Sequence, residues 1–154
     1  MLPKVLFVVA LSALVLSTVA LAGEDAYIEL LREDVRAEKI AIITEVMQFT
    51  DYEAARFWPV YREYERQLNM IVDDRIRMIK DFADRYGNFD DRASRKIAEQ
   101  SFRLESRRTA LKRKFFPRFE KAVGAKTAAQ YFQLERQISL LVELQIAAEL
   151  PLID

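Results

Sequence analysis

The sequence predicts an all-α protein of four helices. Three observations carry that expectation. Apolar residues recur at steps of three and four over most of the chain after residue 22. Breakers are scarce, with 3 Gly and 4 Pro in 154 residues. Start and stop signals fall near Phe49–Asp51, Tyr86–Asp91, Gly124 and Pro151, and they divide the chain into four segments.

The chain opens "MLPKVLFVVALSALVLSTVALAGED". Lys4 gives a short positive start, an apolar run follows from Val5 to Leu16, and Ala20-Leu21-Ala22 precedes Gly23 as a small-residue cleavage site. These are the three parts of a secretory signal peptide, and the run is short for a membrane span of about 20 residues. Cleavage after Ala22 would leave 132 residues, 23–154, enough for a single helical domain. It would remove one charge, Lys4, from a balance of 24 basic and 24 acidic residues. The expected location is the periplasm, with no stable membrane insertion after cleavage.

The first segment, about Glu24 to Met47, places Tyr27, Leu30, Leu31, Val35, Ile42, Ile43, Val46 and Met47 at helical spacing. It is acidic, with Glu24, Asp25, Glu29, Glu33, Asp34, Glu38 and Glu45 against Arg32, Arg36 and Lys39. The second opens on Thr50-Asp51-Tyr52-Glu53, a Thr three residues before a Glu, as a capping box requires. It runs to about Arg85. Phe57, Tyr61, Tyr64, Leu68, Ile71, Met78 and Phe82 form a near-heptad stripe that Arg75 interrupts. Such a stripe requires a helical partner, in the same chain or in a second copy.

"YGNFDD" is the next loop; Gly87 can end one helix, and Asp90 or Asp91 can cap the next. The third segment, about Arg92 to Lys121, is strongly basic: Arg107, Arg108, Lys112, Arg113, Lys114 and Arg118 are among its cations. The fourth follows Gly124 to about Glu149 and is the most apolar.

Pro59 and Pro117 stand inside the two long segments, within "RFWPVYREYE" and "KFFPRFEK". A proline in a helix interior removes a donor and clashes one turn back, at a cost of roughly 3 kcal/mol. Helical periodicity continues on both sides of each. We therefore expect two kinked long helices, each roughly 45–50 Å at about 1.5 Å per residue, in an elongated cradle or hairpin-type bundle. The alternative is that each proline marks a helix boundary. A weak internal repeat is also present: Glu53-Ala54-Ala55-Arg56-Phe57 resembles Thr127-Ala128-Ala129-Gln130-Tyr131.

Composition narrows the chemistry. The chain has no Cys and no His. Disulfides are excluded, thiolate and imidazole metal sites are unavailable, and histidine-based acid–base catalysis has no residue to use. Scarce glycine leaves no phosphate-cradling loop. The near-neutral balance gives no global field for nucleic acid. No enzyme, cofactor or metal centre is expected. A carboxylate site at Glu29, Glu33 and Asp34 is the remaining metal alternative.

Two features allow a binding reading. The basic third helix can present Arg107, Arg108 and Lys112 to a partner, or it can pair with the acidic first helix. The clusters Phe57, Trp58, Tyr61 and Phe115, Phe116, Phe119 can form core that anchors the kinks, or can be exposed in part to unfolded clients. The apolar end "ISLLVELQIAAELPLI" lacks the basic face of a membrane-surface helix, so core or dimer interface is expected there.

"FTDYEAARFWPVYREYE", Phe49 to Glu65, resembles the first LTXXQ motif of the Spy/CpxP-like periplasmic proteins, with Phe49 in place of its Leu and Glu53 in place of its Gln. "VGAKTAAQYFQLE", Val123 to Glu135, falls where the second motif belongs and departs from it. The resemblance implies a cradle-shaped helical protein, often an antiparallel homodimer. It implies an ATP-independent chaperone for unfolded or stressed envelope proteins. The alternatives within the family are a regulator docking on an envelope sensor domain and a metal-responsive protein.

Overall fold

The structure, a computed structural model, describes residues 24–149, with side-chain surroundings for residues 35–144. The expected signal peptide, its cleavage after Ala22 and the closing Pro151 lie outside the described residues. So do the side chains of Glu29, Glu33 and Asp34.

The described chain is all-α: α1 (Glu24–Met47), α2 (Asp51–Arg85), α3 (Asp91–Val123) and α4 (Ala125–Glu149). It divides between Ile42 and Ile43 into two compact units. In the first, the described residues are those of α1 up to Ile42, with Val35 and Ile40 exposed. The second holds the end of α1 and the other three helices.

Local chemistry sets the boundaries. Gln48, just past α1, has φ 46°, a left-handed conformation that stops the helix. Thr50 then caps α2 as a complete capping box. Its Oγ1 accepts from the Glu53 N–H at 3.3 Å, and Glu53 Oε2 accepts from the Thr50 N–H at 3.0 Å. Of the two expected caps for α3, Asp90 takes the role, its Oδ1 accepting from Ala93 N–H at 2.7 Å. Gly124 alone separates α3 from α4. Its φ of 85° and ψ of 157° lie in a region open essentially to glycine alone.

Both long helices continue through their prolines, so neither Pro59 nor Pro117 is a boundary. Each proline leaves the carbonyl four residues back, on Ala55 and Arg113, without its helical donor. All four residues are exposed, so water can reach that side of each helix.

Side-chain pairs establish the topology. Glu63 meets Arg118, Gln67 meets Lys114 and Asp74 meets Arg107, so α2 and α3 run antiparallel. Lys112 meets Glu135 and Arg108 meets Ser139, so α3 and α4 do too. The core of this unit is largely aromatic. Phe57, Phe119 and Tyr131, one from each helix, form a triangle with centroids 5.3, 5.0 and 4.7 Å apart. Tyr64, Phe115, Leu68, Ile71, Leu111, Ala128 and Ile43 extend it. Edge-to-face and tilted rings at such separations add about 0.5–1.5 kcal/mol per pair beyond their burial. The α2 stripe thus finds partners within the chain, from Phe57 to Ile71. The repeat-like starts of α2 and α4 meet in this core through Phe57 and Tyr131.

Candidate functional site

The aromatic candidates separate by burial. Phe57, Phe115 and Phe119 have no solvent exposure and Tyr61 is 2% exposed. A ring closed on all sides offers nothing to a client while the fold is intact, so these four are core residues. Trp58 and Phe116 are half-buried at the core's edge, where Trp58 packs on Phe57 at 5.1 Å and Phe116 on Phe132 at 6.0 Å.

The basic candidates from α3 are all engaged. Arg107 reaches Asp74 of α2 at 2.5 Å. Its guanidinium, through that hydrogen bond, holds the Asp74 carboxyl below the usual carboxylate range. Arg108 meets Glu143 of α4 at 2.7 Å and donates to Ser139 Oγ at 2.6 Å. Lys112 Nζ lies 2.6 Å from Oε2 of Glu135, which is fully buried. Outside the expected set, Arg118 pairs with Glu63 at 2.5 Å and lowers its pKa in the same way. The acids found opposite these cations lie on α2 and α4; the acidic side chains of α1 from Glu24 to Asp34, the other expected partners, lie outside the described residues.

Glu135 is the centre of a polar seam that sequence reasoning missed. Tyr64 Oη donates to its Oε1 at 3.5 Å and Ser139 Oγ at 3.3 Å, while Arg108 stands 3.7 Å away. Arg75, the interruption in the α2 stripe, reaches Glu143 at 3.5 Å. Burial, and then the Glu135 charge, push the Tyr64 hydroxyl far above its ordinary pKa. A buried carboxylate requires this density of partners, since an uncompensated charge there would cost several kcal/mol. A signal existed: Glu135, Ser139 and Glu143 fall four residues apart, one polar line along the most apolar helix.

That line takes the inner face of α4 and leaves its leucines elsewhere. Leu140, Leu141 and Leu144 are 50%, 52% and 69% exposed, and Val142 is exposed as well. Of the two expectations for this stretch, core and dimer interface, the described residues exclude core for these four side chains. Leu140, Leu141 and Leu144 share one side of the helix by spacing. On α3, Phe102 is also exposed, as is Met70 on α2.

Among the described residues no group of three or more His, Cys, Asp or Glu side chains is placed to hold a metal ion. No described helix is long and apolar enough to cross a membrane. The described surface is apolar along α4, and between α2 and α3 Arg56, Arg118 and Lys121 line a groove. Comparison with protein-family models, with curated proteins and with solved structures returns no match to the chain.

Proposed function

We propose that the chain is an exported, non-enzymatic helical protein of the Spy/CpxP type, which holds unfolded or stressed envelope proteins in the periplasm without ATP. The observation that carries this reading is the row of exposed leucines on α4, Leu140, Leu141 and Leu144. Soluble proteins seldom leave neighbouring large apolar side chains uncovered unless something binds there. The signal-peptide pattern and the resemblance of Phe49–Glu65 to the first LTXXQ motif supply the compartment and family class. In this reading clients bind by apolar contact on α4, and the paired cations Arg107, Arg108 and Lys112 hold the helices together. A bend at Pro59 and Pro117 would curve α2 and α3 along the bundle.

The test is light scattering from two unrelated denatured clients as they aggregate, with the protein present and no nucleotide. Suppression of both near stoichiometric ratio is the expected result. No suppression of either, by a helical and folded sample, would discard the chaperone reading and turn attention to a dedicated envelope receptor.

A further inference from the structure

A groove lies between α2 and α3. It has a volume of about 410 Å³ and is lined by Arg56, Val60, Arg118, Lys121 and Ala122. Three of these five residues are cationic and none is acidic. Val60 and Ala122 supply an apolar floor.

The three cations are not equivalent. Arg118 is neutralised by Glu63 at 2.5 Å. Arg56 is held in place by neutral groups only: it donates to the Lys121 carbonyl at 2.8 Å and to the Tyr52 hydroxyl, with its guanidinium carbon 5.0 Å from the centre of the Tyr52 ring. The side chain is thus positioned without a carboxylate partner among the described residues, its charge offset only in part by the last-turn carbonyl of α3 and the Tyr52 ring. Lys121 is exposed, and its ammonium has no carboxylate partner among the described residues. Two cations without carboxylate partners beside an apolar floor, one of them fixed in advance, complement a ligand that combines carboxylates with apolar side chains. Pre-positioning lowers the ordering cost of binding such a group.

The groove is open along its outer side. A small amphiphile would stay largely wet there, whereas ligand clefts of about 300–1,000 Å³ ordinarily enclose most of what they hold. A peptide does not need enclosure, because residues on either side of the contact anchor it. We infer that this groove binds an acidic peptide segment, with carboxylates on Arg56 and Lys121 and apolar side chains on Val60 and Ala122. The site is separate from the α4 leucines and does not depend on the chaperone reading.

The experiment is fluorescence anisotropy with the full chain and a labelled peptide of alternating Glu and Leu, against its Gln–Leu counterpart. The Glu peptide should bind roughly tenfold tighter or more, a difference of about 1.4 kcal/mol. Its affinity should fall as salt rises from about 0.1 M to about 1 M. Lys121→Glu should abolish the preference, with the helical circular dichroism unchanged. Glu63→Gln, which releases Arg118, should tighten binding. Arg56→Gln should weaken it. Equal binding of the two peptides, or a Glu preference that survives both Lys121→Glu and Arg56→Gln, would overturn the assignment. Displacement of the peptide by decanoate at equal affinity would overturn it too, in favour of a small amphiphile. Loss of aggregation suppression by α4 variants with peptide binding intact would separate the two sites.

Discussion

The ammonium of Lys112 on α3 lies 2.6 Å from the Glu135 carboxylate of α4, which has no exposure to solvent. Removing one partner of such a pair leaves a buried charge exposed to the full desolvation penalty. Lys112→Met should therefore cost about 3 kcal/mol, the low end for a buried pair, because Arg108 remains nearby. The double variant Lys112→Met with Glu135→Leu should return to within about 1 kcal/mol of the parent, since an apolar pair of similar size removes the charge altogether. Urea unfolding of the two variants measures both. A double variant as unstable as the single one would mean that the seam contributes net stability of its own.

Two tyrosines in the same core should respond in opposite directions. Tyr131 is fully buried and its hydroxyl has no hydrogen-bond partner among the described residues. Burial holds that hydroxyl's pKa well above the ordinary value. Tyr131→Phe removes an unsatisfied polar atom and should stabilise the fold by about 1 kcal/mol. The Tyr64 hydroxyl donates to Glu135, so Tyr64→Phe should destabilise by about 1 kcal/mol. Thermal melts that move the same way for both would contradict this difference in hydrogen bonding.

Sequence reading succeeded where the determining chemistry is local. The Thr50–Glu53 box, the α3 cap at Asp90, one of the two residues expected for it, and the break at Gly124 each depend on a few adjacent residues. The stripe from Phe57 to Ile71 was legible because spacing alone defines a buried helix face. Which acid answers Arg108 or Lys112 was not, because register between helices depends on residues far apart in the chain. The leucines of α4 left core and dimer interface both open for a related reason. A helix apolar on most sides reads as buried, but Ser139 and Glu143 occupy the side packed within the chain and leave Leu140, Leu141 and Leu144 outside its core. Phe115 and Phe119 show the converse. They sit among cations in the sequence, yet Arg118 lies over the Phe115 ring at 4.7 Å while the ring itself is buried.

Gly124 should resist substitution although there is room for a side chain. A Cβ built there meets no atom within 4 Å. The obstacle is the backbone, whose φ of 85° with ψ of 157° is a conformation that other residues adopt only under strain. Gly124→Ala should cost about 1–3 kcal/mol in chemical unfolding. A neutral result would show that the α3–α4 junction can relax to an ordinary conformation.

The capping box makes one contribution of α2 depend on pH. The Thr50 backbone N–H, followed by its hydroxyl, holds the Glu53 carboxyl below its ordinary pKa. A depressed carboxyl stabilises the folded state fully above its unfolded pKa and loses that effect as pH falls through the folded value. The stability difference between the parent and Glu53→Ala should therefore be greatest near neutral pH and narrow in acid, below the carboxylate range. Thr50→Ala should cost about 1 kcal/mol at neutral pH. A Glu53→Ala difference that stays constant across the acidic range would show that the carboxylate's charge is not what the cap uses.

If the α4 surface holds clients as proposed, it separates folding from binding most sharply. Leu141 and Leu144 are 52% and 69% exposed, so polar replacements there remove little packing. The double variant Leu141→Glu with Leu144→Glu should unfold within about 1 kcal/mol of the parent, as two exposed sites of about 0.5 kcal/mol each allow. Apolar client contact would be lost. Aggregation suppression should therefore fall sharply at unchanged stability. Phe119→Ala should behave in the opposite way, losing about 3–5 kcal/mol of stability because a fully buried ring leaves a cavity. Its suppression per folded molecule should stay close to the parent's wherever the fold persists. If suppression instead survives the leucine replacements, clients are held elsewhere, and the exposed side of α4 is the surface to examine for self-association.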